Sequence, residues 1–160
     1  MTSGGKRTLH IYADTSVFGG CFDPEFEGPS RRFFELVARG RVILLVSQIL
    51  EDELTCCPAQ VRGLFARLRK DALSHVGITR ELLALRDAYV ETGVVGRRSR
   101  EDAGHVAAAT LARADAIVSW NFKHIVSIGR IQGYNHVNLR MGYRPLAILS
   151  PGDVLSHEEG

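Results

Sequence analysis

Four oxygen-bearing side chains occupy positions that a parallel α/β sheet would bring to a single edge. Asp14 directly follows a short apolar run, and Asn121 follows a second one. Glu53 and Asp102 each lie near the start of a helix that the sequence predicts. In open α/β sheets, ligands bind in the crevice outside the carboxyl ends of the strands. We therefore expect all four side chains to face one crevice.

The chemistry that suits this set is the binding of a divalent metal ion. Carboxylates gathered closely repel one another, and their pKa values rise unless a cation neutralises them. Hard oxygen ligands select Mg²⁺ or Mn²⁺, which keep several waters and take further ligands from substrate phosphates. Such a metal lowers the pKa of a bound water and neutralises charge on an attacked phosphodiester. The sequence thus predicts Asp14, Glu53, Asp102 and Asn121 as both metal ligands and catalytic residues.

Each of these residues also has an ordinary structural explanation. Asp14 opens an Asp-Thr-Ser sequence, in which aspartate commonly caps a turn. Ser99 and Asp102 have the spacing of a capping box, in which the acid bonds back to the N-cap amide. Asn121 is also a residue type that ends strands and begins turns. His105, three residues beyond Asp102, is read as a packed histidine.

Glu53 has two acidic neighbours, and the choice among them rests on helical geometry. Acids near a helix N-terminus are favoured by the helix dipole, which explains one or two of Glu51, Asp52 and Glu53 without any further role. A helix that begins at Ser47 and buries its leucines places Glu53 beside the apolar stripe. Glu53 is therefore expected at the crevice, and the other two in solvent.

Strands that alternate with helices predict an α/β domain with a parallel sheet. The apolar runs 9–13, 42–46, 75–78, 116–119 and 146–149 predict five strands. Helices are predicted from 29 to 40, from Ser47, and over 58–72, 79–92 and 99–113, with a turn at 15–22, a weak helix or turn within 125–138 and a terminal helical turn at 151–153.

Composition favours one globular domain without a membrane segment. The chain has 160 residues, 45% of them apolar, a net charge of +2 and a pI near 8.6, which permits a nucleic-acid partner. No apolar run approaches the roughly 18 residues that span a bilayer. The three cysteines lack metal-site spacing and indicate reduced thiols of a cytoplasmic protein. We expect a loose leader at residues 1–8 and a single domain at 9–157.

In the order and spacing of these segments, the chain resembles the PIN-domain ribonucleases, best known as the VapC-like toxins of toxin–antitoxin pairs. The residues that carry the resemblance are Asp14-Thr15-Ser16, the segment VILLVSQILEDEL, Asp102 in EDAGHVAAATLARADAIVS, and the closing LAILSPGDVL. They cover nearly the whole chain. One position departs from the pattern, because many members have an aspartate where this chain has Asn121.

The resemblance implies a three-layer α/β/α sandwich around a central parallel sheet. It also implies an Asp14, Glu53 and Asp102 site for Mg²⁺ or Mn²⁺, endoribonuclease activity, homodimers and a small antitoxin protein as a possible partner. An amide at position 121 contributes no charge, so the alternative is a weak or inactive PIN-fold module that binds RNA or protein. A phosphohydrolase that uses Asp14 as nucleophile is disfavoured, because Ser16 stands where that pattern needs a second aspartate.

Substrate contacts are expected from residues around the same edge. Basic side chains that precede Asp102 would neutralise RNA phosphates and make the affinity fall with salt. Two serines beside the predicted ligands are candidates for binding a phosphate. The predicted substrate-binding residues are Ser16, Arg97, Arg98, Arg100 and Ser119.

Overall fold

A computed structural model describes residues 7–159 and contains one five-stranded, entirely parallel sheet. The strands are β1 (Leu9–Ala13), β2 (Val42–Ser47), β3 (Leu73–Val76), β4 (Ala116–Val118) and β5 (Ile148–Leu149), in the spatial order β3-β2-β1-β4-β5. Each strand overlaps its predicted position. The predicted leader, residues 1–8, falls mostly outside the described residues.

Eight helices connect and cover these strands in the described part of the chain. They are α1 (Thr15–Gly20), α2 (Glu27–Ala38), α3 (Gln48–Thr55), α4 (Ala59–Ala66), α5 (Arg80–Glu91), α6 (Arg100–Leu111), α7 (Ile128–Arg140) and α8 (Pro151–Glu159). None of the described helices has the length and apolar character needed to cross a membrane.

The central strands are buried on both faces, as parallel strands usually are. Ile11 and Leu44 point into a core shared with α1, α2, α4 and α8. Their neighbours Tyr12 and Leu45 point into a second core shared with α5, α6 and α7. Because successive strand residues face opposite sides of a sheet, the two cores lie on opposite faces. The predicted three-layer α/β/α sandwich is therefore confirmed.

The segment after β1 is a helix, and the prediction of a turn over residues 15–22 is wrong. Asp14 takes an extended conformation at the N-cap, and its carboxylate accepts a hydrogen bond from the Ser16 main-chain N–H. This cap starts α1 even though its last residues, Gly19 and Gly20, are poor helix formers. The residue expected to ligate a metal thus also begins a helix.

Two other helices differ from prediction for reasons of packing. The helix predicted over 58–72 ends at Ala66, because the chain must turn back so that Leu73 can pair with Leu44. The weak helix or turn predicted within 125–138 is the 13-residue α7. Its Gly133 weakens the sequence signal, yet a Cβ there would lie 3.0 Å from Val94 Cγ1, so close packing favours glycine.

The capping box that the spacing of Ser99 and Asp102 allowed as an alternative is not formed. Residues Arg97–Ser99 form a short 3₁₀ turn, and α6 follows at Arg100. Ser99 occupies the N-cap position, but its side chain makes no capping hydrogen bond. Asp102 is consequently not held by Ser99 and turns elsewhere. By contrast, Ser47 and Thr79 cap α3 and α5 as predicted, accepting from the N–H groups of Leu50 and Leu82.

Candidate active site

The site lies between the carboxyl ends of β1 and β4, where the order of the strands in the sheet reverses. β1 leads to β2 on one side, whereas β4 lies on its other side, so the carboxyl ends of β1 and β4 flank a topological switch point. Asp14 follows β1 and is 4% exposed. The Ser119 hydroxyl, directly after β4, donates to Asp14 Oδ2 at 2.7 Å, and the Ser16 hydroxyl donates to Oδ1 at 2.5 Å. Two serines from separate strand ends thus orient one carboxylate.

Glu53 of α3 faces the same crevice. Its Oε1 accepts a hydrogen bond from the Thr15 hydroxyl and lies 2.7 Å from His105 Nε2. The other two acids of this helix make different contacts: Glu51 Oε2 lies 3.8 Å from His75 Nδ1, and Asp52 accepts a hydrogen bond from Gln48. The structure therefore places Glu53, and not Glu51, beside Thr15, the residue that follows Asp14.

His105 is the residue that connects the acids to the interior of the sheet. It is 1% exposed, and its Nδ1 lies 2.6 Å from the Tyr12 hydroxyl, which lies 2.7 Å from Ser47 Oγ. Ser47 Oγ in turn accepts from the main-chain N–H of Leu50. This chain of hydrogen bonds crosses from α6 to β1 and β2, and it holds the imidazole with Nε2 directed at Glu53.

Asp102 and Asn121 form the third part of the site. Burial raises the pKa of the Asp102 carboxyl, and the nearby Asn121 side chain acts in the opposite direction as a hydrogen-bonding group. Asn121 Oδ1 accepts from the main-chain N–H of His124 at 2.9 Å, so the amide N–H₂ is the part of this side chain that can act on Asp102. Ser119, which was predicted to bind a phosphate, contacts Asp14.

The electrostatics divide the acids into two kinds. Burial raises the pKa of Asp14 and of Asp102, since a charged carboxylate is poorly solvated there. Burial also acts on Glu53, but the hydrogen bond and charge of His105 outweigh it and lower the pKa of Glu53 to about 2. The carboxylates raise the pKa of His105 in spite of its burial. A hydrogen bond with Glu53 raises the pKa of Glu101. The crevice therefore favours positive charge.

The donor set fits a hard divalent cation that keeps part of its water shell. Among residues 7–159, no group of three or more His, Cys, Asp or Glu side chains is placed so that it could hold a metal ion by itself. Mg²⁺ typically uses only one or two carboxylates directly, with waters and substrate phosphates completing its shell. Asp14 and Asp102 are the candidates for direct contact, and Glu53 for contact directly or through water.

Glu53 opens to solvent through a cavity of about 470 Å³, which is lined by Thr15, Ile49, Asp52, Glu53, Cys56 and Glu101. Of the predicted substrate-binding residues, Ser16 and Ser119 are engaged with Asp14. Arg97, Arg98 and Arg100 lie instead in a neighbouring cleft that shares Ile49 and Glu101 with this cavity. The predicted residues therefore form two adjacent groups, one acidic and one basic.

Comparison with solved structures identifies the architecture. A chain in the crystal structure of VapBC2 from Rickettsia felis bound to a DNA fragment from their promoter matches this chain with a TM-score of 0.54. The match covers 88% of this chain and 97% of that chain, at 13% sequence identity. The chain has a PIN-like fold. At this identity the likeness establishes the PIN-like fold alone. No protein-family model and no curated protein sequence matches the chain.

Several residues of the site were not predicted to take part in it. Thr15, Tyr12 and His105 contact the acids or one another, and Glu101 adjoins Glu53. The spacing of His105, three residues after Asp102 on one helix, was a usable signal because such residues lie on neighbouring parts of a helix face. The contact between His105 and Tyr12 spans 93 residues and had no local signal.

Proposed function

We propose that this protein is a Mg²⁺- or Mn²⁺-dependent endoribonuclease. The observation that carries the proposal is the meeting of Asp14, Glu53 and Asp102, from three separate elements, around one crevice at the switch point of the sheet. Buried acids with raised pKa values are poorly stabilised without a cation, and such groups mark functional sites. The PIN-like fold adds support by analogy.

In this proposal the protein's own residues position the groups that react. Ser16 and Ser119 fix both oxygens of Asp14, and His105 and Thr15 fix Glu53. Asn121 favours the charged form of Asp102 without adding negative charge of its own. Asp14 and Asp102 would hold the cation, and Glu53 would orient a water for attack on phosphorus. When bound, the cation supplies charge neutralisation at the phosphodiester and lowers the pKa of the attacking water.

The test is cleavage of a labelled single-stranded RNA by the purified protein, with Mg²⁺ or Mn²⁺ and with EDTA. Asp14→Asn is expected to reduce the rate by roughly 10²-fold or more, because it removes a charged ligand. Asp71→Asn is the matched control, since Asp71 is exposed and pairs only locally with Arg69 among its described contacts. Full cleavage by a folded Asp14→Asn variant would contradict the assignment.

A second candidate function is a non-catalytic PIN-fold module that binds RNA or protein. Asn121 in place of an acid and the His105 contact to Glu53 favour it, because both reduce the negative charge available to a metal. This candidate requires salt-dependent RNA binding without cleavage at any metal concentration. A calorimetric titration with millimolar Mn²⁺ separates the two, since the nuclease requires binding and the module does not.

We further propose that such a nuclease acts as a toxin with an antitoxin protein as its partner. The support is the structural likeness to a chain of VapBC2. The expectation is that expression of the protein alone arrests growth, while Asp14→Asn does not. Co-expression of a small protein encoded beside it should restore growth.

A further inference from the structure

A basic cleft lies directly beside the acidic cavity, between α5, α6 and the short turn that joins them. It encloses about 520 Å³ and is lined by Ile49, Gly104, Glu101 and four arginines, which are Arg86, Arg97, Arg98 and Arg100. Arg86 was not among the residues that the sequence singled out. Because the cleft and the acidic cavity share Ile49 and Glu101, one extended ligand can occupy both of them.

Arg86 differs from the other three arginines in how firmly it is held. Its side chain is only 20% exposed, whereas the rest lie on the surface. Its Nε and Nη2 lie 3.1 and 3.0 Å from Asp87 Oδ1. The same oxygen lies 3.7 Å from Arg100 Nη2, so Asp87 ties two of the four guanidinium groups together.

Gly104 provides the space in which Arg86 packs. A Cβ at this position would lie 3.0 Å from Ile49 Cδ1 and 3.8 Å from Arg86 Cδ. The glycine lets α6 approach α3 and the aliphatic stem of Arg86, even though glycine weakens a helix interior. Arg86 is therefore an ordered cation at the floor of the cleft, and Arg97, Arg98 and Arg100 surround it.

The composition of the cleft selects an anion with several acceptor oxygens. Four arginines and one carboxylate, that of Glu101, line the cleft, and Asp87 pairs with Arg86 and Arg100 beside it, so positive charge still prevails. Each guanidinium presents paired N–H donors that match the spacing of phosphate oxygens. A volume of about 520 Å³ exceeds what one phosphate needs, so the cleft suits a polyanion chain. The adjacent cavity, which repels anions in the absence of a cation, receives the next part of that chain.

We propose that this cleft binds backbone phosphates of a single-stranded RNA adjacent to the phosphodiester held over Asp14 and Asp102. Arg86 is the anchor, and the three surface arginines add contacts that do not depend on base identity. This inference rests on the proposed function, since it names how the same site holds its substrate. An acidic protein segment is the competing occupant, and the experiment separates it from RNA.

The experiment measures binding of a fluorescein-labelled oligouridylate by anisotropy in EDTA, where cleavage does not occur, over a series of salt concentrations. Arg86→Gln is expected to weaken binding about 5- to 10-fold. It should also reduce the slope of log K against log[salt] by about 0.7, the value for one phosphate contact on a single strand. The double variant R97Q/R98Q should weaken binding further and reduce the slope by about 1.4.

Arg39→Gln is the matched control, because Arg39 is an exposed arginine that ends α2 in the opposite layer. It should leave affinity and slope unchanged. Thermal unfolding shows whether Arg86→Gln is folded. If Arg86→Gln is unfolded, the test rests on R97Q/R98Q, whose two substitutions are at exposed positions. Unchanged RNA affinity in R97Q/R98Q and in folded Arg86→Gln would overturn the proposal. So would tighter binding of a polyglutamate peptide than of oligouridylate.

These outcomes are distinguishable from failure of the proposed function. If the arginine variants weaken RNA binding but the wild-type protein cleaves nothing with Mn²⁺, the cleft is an RNA site and the nuclease proposal fails. If the protein cleaves RNA while the arginine variants bind it normally, the nuclease proposal stands and the cleft proposal fails.

Discussion

Asp14 combines two tasks at the scale of a single residue. Its carboxylate caps α1 through the Ser16 N–H and also receives the Ser16 and Ser119 hydroxyls. These hydrogen bonds favour the charged form, yet burial prevails and raises the pKa of Asp14. The charged carboxylate is therefore destabilising in the metal-free protein, and a perturbed pKa of this kind is a common property of functional sites.

This pKa shift predicts how stability depends on pH. A carboxyl group whose folded pKa is raised contributes most to stability below its ordinary pKa, and that contribution is lost as pH rises through the folded value. In EDTA at pH 8, the melting temperature of Asp14→Asn should therefore be higher than that of the wild type. The expected difference is a few degrees for each kcal/mol of unfolding free energy that the buried charge costs, and it should shrink toward pH 4. Thermal unfolding followed by circular dichroism measures this.

Asp71→Asn, at an exposed position, should show no such pH-dependent difference. The Asp14→Asn variant is expected to retain the cap of α1, because asparagine is as good an N-cap residue as aspartate. If Asp14→Asn were less stable than the wild type at every pH, the carboxylate would be stabilising in the metal-free protein and the account of the site would be wrong.

Asn121→Asp tests the one position that departs from the acidic pattern. The substitution replaces an amide near Asp102 with a second carboxylate, and like charges that are close together repel. We expect lower stability in EDTA together with Mn²⁺ binding that is about 3- to 10-fold tighter, since charge adds to metal affinity. Calorimetry and thermal unfolding measure the two effects, and weaker Mn²⁺ binding would contradict the prediction.

At the scale of the elements, α1 is packed against the segment after β4 through a glycine. A Cβ on Gly20 would lie 2.5 Å from Ser30 Oγ and 2.9 Å from Trp120 Cδ1. Trp120 donates from Nε1 to Ser30 Oγ and stacks on Phe26 with ring centroids 4.3 Å apart. The Trp120 main-chain N–H also donates to Ser16 Oγ, so this packing reaches the Asp14 contact.

Gly20→Ala should therefore destabilise the protein by about 1–3 kcal/mol, the usual cost of overpacking a well-filled interior. It should also shift the fluorescence of Trp120, which is the only tryptophan in the sequence. Gly19→Ala is the control on the same helix, because a Cβ there meets nothing within 4 Å. Equal stability of the two variants would show that the packing around Trp120 does not require glycine.

The elements also show why some features were predictable from sequence. β2 is an unbroken apolar run, and Ser47 and Thr79 form caps within three residues of themselves, so local signals were sufficient. Ser99 has the same local signal, but it is the last residue of a 3₁₀ turn and therefore has a different backbone conformation. α7 is stabilised by buried Tyr134 and by packing of Gly133 on Val94, and neither contact is visible locally.

The residues of the candidate site likewise include some that local patterns predict and others that only the packing of distant segments determines. Asp14 and Asp102 were predicted to meet because the first follows a strand and the second lies in the first turn of a helix, and parallel topology brings such positions together. Glu53 was chosen for its place beside the apolar stripe of its helix. His105 was taken for a packed histidine, and it is indeed buried, but it also contacts Glu53. That contact depends on how α6 packs against α3, which no pattern along the chain specifies.

At the scale of the whole molecule, the sheet order β3-β2-β1-β4-β5 determines where the acids meet. It places the ends of β1 and β4 side by side, with α3 and α6 supplying acids from either side. The arginine cleft adjoins this site on the α5–α6 side. A negatively charged chain is thus attracted by the arginine cleft, whereas it needs a bound cation to approach the acidic site.

The most direct test of the metal site is an anomalous diffraction measurement on crystals soaked in MnCl₂. The account predicts an anomalous difference peak in the crevice within about 2–2.6 Å of an Asp14 or Asp102 oxygen, and loss of that peak in Asp14→Asn crystals. Peaks only elsewhere on the surface, or an undiminished peak in Asp14→Asn, would contradict the claim that these acids hold a divalent cation.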